Sequence, residues 1–195
     1  MLRRKISTTR YINFDDEDVK PSAPSGLDVA SLLNNEFLSD FKIKCANGNA
    51  IPAHKVVLAL SSPVFNRMLQ ANFKESAECE IVITDFAYEV VMEMVRFMYT
   101  GKTAEINGMA MDLLKMAEKY ELTRLKSRCE EIIIRTLSVT TVIDLFTFAD
   151  TYNAVQLEAA AIQFIMSYFV TVRNTSGYKS LPQRLLFKLC DVAMG

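Results

Sequence analysis

The chain has 195 residues, half of them apolar and 23% charged, enough for one domain with an extension and for a substantial core. Its 22 basic and 23 acidic side chains leave a formal net charge of −1. No global field draws it to phosphate backbones or anionic lipid, so nucleic acid and membrane are disfavoured as partners. Cys45, Cys79, Cys129 and Cys190 are scattered with no C-x-x-C pair, and neither a secretory signal nor an apolar run of about 18 residues appears. A soluble, intracellular protein with reduced thiols is expected, in which the sequon at Asn174 stays idle.

Residues 1–26 alternate a basic run, an acidic run and "KPSAPSG", with little to bury, and read as a disordered polar tail. "MLRRKISTTR" imitates a mitochondrial presequence, but Asp15, Asp16, Glu17 and Asp18 follow at once, where such leaders avoid acid. Arg4 precedes Ser7 by three residues, the spacing that basophilic kinases read.

From residue 27, "LDVASLLNNEF" places Val29, Leu32, Leu33 and Phe37 on one face of a short helix. Two alternating runs follow, Phe41/Ile43/Cys45 and Ala50/Pro52, joined by "NGN", whose residues tolerate positive φ and predict a hairpin. "HKVVLALSS" and "PVFNRMLQ" read as two short helices, with Pro63 suited to a first helical position. A polar loop then carries Phe73 beside Glu75 and leads into a third strand, "EIVI". An exposed aromatic beside a carboxylate has two readings: an anchor for a partner, or a ring folded back on its own domain next to a solvated charge.

"YEVVMEMVRFMYTG" repeats apolar residues at 90, 91, 94, 95 and 98, the helical spacing, and stops at Gly101. Met92, Met94 and Met98 read there as core filler. One further helix carries Ala110, Leu113, Leu114, Ala117 and Tyr120, and the next Leu125, Cys129, Ile132 and Ile133. Beyond 137 the pattern is wholly helical. Ser138 caps a helix with Val142, Leu145, Phe146, Ala149 and Tyr152; a second holds Leu157, Ala161, Phe164, Ile165 and Tyr168. "NTSGYKSLP" is a break before a last amphipathic helix.

Chemistry for catalysis is missing from these patterns. Gly101-Lys102-Thr103 imitates the end of a P-loop, but the glycine needed five residues earlier is Arg96. The single histidine, His54, cannot serve a site that needs two, and a buried, hydrogen-bonded role at a strand-to-helix corner is expected for it. No G-x-S-x-G, H-E-x-x-H or G-x-G-x-x-G occurs. A non-enzyme is expected, with no catalytic residue, metal ligand or cofactor assigned.

The order of elements, with "FKIKC…IPAHKVVLALSSPVFNRML", "VVMEMVRFMYTG" and "LLKMAEKYELTRLKSRCEE" at these spacings, resembles the BTB/POZ domain, most closely the speckle-type POZ (MATH-BTB) group. The likeness covers about residues 27–170. It implies an α+β fold, a small mainly antiparallel sheet flanked by helices over 27–137, followed over 138–195 by an all-α extension like the 3-box or BACK region.

The resemblance also implies a function, that of a dimeric substrate adaptor binding the N-terminal domain of cullin-3 in a ubiquitin ligase and promoting degradation of a target. The family's cullin contact centres on a hydrophobic-x-Glu motif, which falls here on Phe73 and Glu75, with Leu69 and Tyr120 beside them. Its two-fold dimer contact falls on Val29, Leu32, Leu33 and Val57, although the same residues would also pack inside one chain. Speckle-type proteins carry a MATH domain before this region, and here a 26-residue tail stands in that place. The target is therefore unknown, and pairing with full-length relatives, even as an inhibitor, is an alternative. So is a dimeric scaffold or transcriptional co-regulator that binds no cullin. Nucleus and/or cytoplasm is the expected location.

Overall fold

The computed structural model describes residues 28–70, 74–104 and 106–194. The tail, its Ser7 motif and Phe73 lie outside these.

A short sheet is the first frame. β1 (Phe41–Cys45) pairs antiparallel with β2 (Ala50–Ala53), Ile43 opposite Ile51, and parallel with β3 (Glu80–Ile83), Ile43 beside Ile81. The sheet, in the order β2-β1-β3, is thus mixed, antiparallel in one of its two pairings. The hairpin turns at Gly48, whose φ of +84° is open to glycine without steric cost. Asn47 Oδ1 accepts from the Asn49 amide across the same turn, at 3.0 Å. Phe41, Ile43 and Cys45 point inward as expected, but β2 has the opposite phase to the one read from its sequence. Ile51 and Ala53 are buried, while Ala50 is exposed.

Two helices fill the crossover, α1 (Lys55–Ser61) and α2 (Pro63–Met68). Asp40 Oδ1 accepts from the Lys55 amide (2.8 Å) and Ser62 Oγ from the Phe65 amide (3.1 Å), so both helix starts have a side-chain acceptor. The expected helix at 29–37 is only a 3-10 turn, Val29–Leu32, and Phe37 is exposed. The stretch before β3, read as a loop, contains α3 (Lys74–Glu78).

α4 (Tyr88–Thr100) buries Val90, Val91, Met94, Val95 and Met98, the five positions its spacing singled out. It ends in a left-handed cap at Gly101 (φ +66°), whose amide donates to the Phe97 carbonyl at 2.8 Å. α5 (Ala110–Lys119) and α6 (Thr123–Ile134) pack as a pair, and α7 (Val142–Thr151) and α8 (Val155–Ser167) form a second pair. Ser138 lies in the turn ahead of α7, its Oγ accepting from the Thr141 amide at 3.2 Å. α9 (Phe169–Val172) follows; α10 (Ser176–Lys179) occupies part of the stretch read as a break; α11 (Gln183–Met194) closes the chain.

α7 is shared between two cores. Leu145 and Ala149 join the main core formed by the sheet with α1, α2 and α4–α6, as do Ala154 and Leu157 at the start of α8. Val142, Ile143 and Phe146 face a second core with Ala161, Ile165, Leu185 and Leu189. Two acids reinforce the junction, one buried and one half-buried. Glu130 of α6, 3% exposed, accepts from the Leu157 amide in the first turn of α8 at 2.9 Å. Glu118 of α5 accepts from Lys126 and from Asn153 between α7 and α8. The helical extension is thereby fixed to the first unit by apolar burial and by polar bonds together.

Candidate interaction surface

The surface around the end of α5 is built on an aromatic stack. Phe65 of α2 is fully buried, and the Tyr120 ring lies nearly parallel to it, centroids 4.9 Å apart. Ser62 Oγ donates to the Tyr120 carbonyl at 2.6 Å while accepting from Phe65, so one hydroxyl holds both residues. Tyr120 is 2% exposed, and burial, with the charge of Asp85, pushes its hydroxyl above the ordinary range. It supports this surface from beneath, because its aromatic face is already occupied by Phe65. Tyr120, one of the residues expected at the cullin contact, is thus placed beneath the surface.

Lys119 covers the stack. Its Nζ bonds Asp85 Oδ2 at 2.7 Å and sits 5.8 Å from the Phe86 ring centre and 5.6 Å from that of Tyr120. Burial pulls the Asp85 carboxyl up, but the Lys119 hydrogen bond, a backbone hydrogen bond and the Lys119 charge together outweigh it and the net shift is downward. Beside it Arg67 of α2 bonds Glu121 at 2.6 Å. Asp85, Phe86, Lys119, Arg67 and Glu121 were not singled out from sequence. Their only signal there was proximity to Tyr120 and the α2 helix.

Leu69 caps the end of α2 and is half-buried. Glu75, also half-buried, lies in the first turn of α3, where a carboxylate complements the helix dipole. Phe73 is outside the described residues. Of the four residues named for this surface, the structure therefore places Leu69, Glu75 and Tyr120 at the α2, α3 and α5 ends respectively.

A second surface lies on α1. Val57 is 8% exposed and faces inward with Leu58, whereas Val56 (63%) and Leu60 (84%), one helical turn apart, face solvent. The exposed apolar face of α1 is thus carried by Val56 and Leu60, and Val57, expected at the dimer contact, is buried beneath it. Val29, Leu32 and Leu33 are partly buried against the main core. His54 fixes the adjoining loop: its Nε2 donates to the Phe37 carbonyl (2.8 Å), leaving Nδ1 to accept from the Tyr99 hydroxyl (2.8 Å). Tyr99 in turn accepts from the His54 amide at 2.9 Å. This is the buried, bonded histidine expected from sequence.

Among the described residues no cluster of three or more His, Cys, Asp or Glu side chains is arranged to hold a metal ion. None of their helices is long and apolar enough to cross a membrane.

A model of the BTB/POZ domain matches residues 29–137 of this sequence, more than half of it. The chain belongs to the BTB/POZ family. A model of the BACK domain (BTB And C-terminal Kelch) matches residues 142–191, so the α7–α11 unit is similar to the region that follows BTB domains in that group. Protein maternal effect lethal 26 of Caenorhabditis elegans is 36% identical over 156 residues, 79% of this chain and 39% of that protein. The chain thus spans well under half the length of this relative. Of solved structures, the BTB domain of zebrafish PATZ1 has a TM-score of 0.43 at 23% identity, covering 49% of this chain and 75% of that one. The BTB domain of human gigaxonin has the same TM-score at 25% identity, covering 49% and 78%.

Proposed function

We propose that this BTB–BACK chain is a non-catalytic, dimeric adaptor of the speckle-type kind. In this reading it binds the N-terminal domain of cullin-3 and brings a target protein to a ubiquitin ligase for degradation, in the nucleus and/or cytoplasm. The observation that carries the reading is the shared core. α7 and α8 contribute Leu145, Ala149, Ala154 and Leu157 to the BTB core, which holds the helical extension in a fixed position beside the BTB surface. An adaptor needs such a composite face, because the cullin is gripped by the BTB domain and by the helices that follow it.

Phe73 and Glu75 are the proposed anchors. Burying a phenylalanine in a partner's groove contributes roughly 1.5–3 kcal/mol, and a carboxylate that accepts partner hydrogen bonds a similar amount. Lys119, Phe86 and Leu69 form the rim of the same surface. Val56 and Leu60 supply the self-complementary apolar patch that a two-fold dimer requires.

A dimeric BTB scaffold without a cullin is the other reading, and the exposed α1 face supports it equally; the hydrophobic-x-Glu motif and the fixed helical extension favour the adaptor. Sedimentation of the chain mixed with the cullin-3 N-terminal domain separates them. The adaptor forms one species with two copies of each, whereas two independent boundaries, dimer and free cullin domain, would support the scaffold.

A further inference from the structure

A cleft beside α6 adjoins both surfaces, Leu60 and Glu121 lining its second part. One part, of about 560 Å³, lies between the end of α4 and the first two turns of α6. It continues past Phe97, Gly101, Thr123 and Arg124 into a second part of about 480 Å³. The two ends differ in chemistry. Lys102, Arg124 and Arg128 line the first, while Met98 and Leu122 lie beneath the second, with Phe97 common to both. Arg128 is engaged by Glu131 at 2.9 Å, but neither Lys102 nor Arg124 has a carboxylate partner among the described residues. The loop that carries Lys102 is held in place, since the Ala104 amide donates to the buried Glu93 carboxylate. Cation and apolar floor are therefore offered side by side on fixed backbone.

The chain contains a segment with the complementary order. Tyr11, Ile12 and Phe14 lead directly into Asp15, Asp16, Glu17 and Asp18. We propose that the cleft holds this segment of its own chain, the acidic run against Lys102 and Arg124 and the apolar residues over Phe97, Met98 and Leu122. The reach is sufficient. The turn at Val29–Leu32 packs against α4, whose 13 residues span about 20 Å. The nine residues 19–27, when extended, cover up to about 30 Å. Covalent attachment makes the docking intramolecular, so a modest charge-dependent contact suffices and salt weakens it. The inference does not depend on cullin binding, since neither Lys102 nor Arg124 belongs to the surface assigned to that partner.

Zero-length carbodiimide coupling tests it on the full 195-residue chain. An equal mixture of ¹⁴N and ¹⁵N chains should yield peptides that join Lys102 to one of Asp15, Asp16, Glu17 or Asp18, both halves carrying the same isotope, with a several-fold lower yield in 1 M salt. In parallel, the amide resonances of Gly101, Thr123 and Ser127 should shift between the parent and the variant Asp15→Asn, Asp16→Asn, Glu17→Gln, Asp18→Asn. Those substitutions remove charge and keep side-chain size. Coupling of the acidic run to other lysines with Lys102 left free, links only between differently labelled chains, or unchanged amide resonances would each overturn the proposal.

Discussion

Tyr120 and Phe73 are two aromatic residues assigned to one surface, and their substitutions should behave in opposite ways. Tyr120 is stacked on Phe65 and nearly closed to solvent, so Tyr120→Ala removes core volume and should cost about 3 kcal/mol of stability, read as a fall in the urea midpoint. Phe73→Ala should leave that midpoint nearly unchanged and weaken cullin-3 binding by about thirtyfold, about 2 kcal/mol. A large loss of stability in Phe73→Ala would show that this ring belongs to the core. Glu130 poses a different test, because its carboxylate caps α8 from a neighbouring helix. Glu130→Ala leaves the Leu157 amide without its acceptor and should destabilise the chain by roughly 1–3 kcal/mol. Glu130→Gln keeps an acceptor at the same reach and should recover most of that loss. Equal losses in the two variants would assign the effect to charge.

α1 separates folding from assembly along a single turn. Changing Val56 and Leu60 together to aspartate should halve the solution mass by light scattering while the circular dichroism spectrum persists. Val57→Asp, directed into the core, should unfold the chain. An unchanged mass in the double variant would place the dimer contact elsewhere. α11 is tied to the extension by charge: Arg184 and Lys188 both bond Asp150 of α7, and Lys188 also bonds Glu158 of α8. The Arg184 hydrogen bond, followed by that of Lys188, holds the Asp150 carboxyl below the usual aspartate range. The unfolded chain then binds more protons than the folded one as pH drops below about 3.9. This contribution is full above that value and is lost as pH falls through the lower folded one. Thermal unfolding between pH 6 and 3 should show Asp150→Asn losing less stability over the acidic range than the parent; parallel curves would exclude Asp150 as the responsible group.

The molecule as a whole was legible in sequence wherever a pattern was long and local. α4 and α5 bury the positions that helical spacing picked out, α6 does so for all but the half-buried Ile132, and Gly101 ends α4 as its sequence implies. What escaped was short or non-local. The five residues of α3 are too few to establish a period, and the parallel pairing of β3 with β1 is decided across an intervening crossover. In β2 the small, weakly apolar Ala50 and Pro52 concealed a phase set by Ile51 and by the turn. In "HKVVLAL" two adjacent valines leave the helical phase open, and only the structure shows Val56 outside and Val57 inside. Lys119, Asp85 and Phe86 converge from separate elements, so no spacing in the chain announces their contact. The shared core and the bond from the Leu157 amide to Glu130 bring the BTB surface and the helical extension into one body, and the adaptor reading depends on that union. The most direct test is calorimetric titration of the full chain with the cullin-3 N-terminal domain, beside its Glu75→Lys variant. The account predicts tight binding by the parent, at one cullin domain per chain, and its loss in the variant with the fold intact. No heat of binding from the parent, or equal affinity in the two chains, would contradict it.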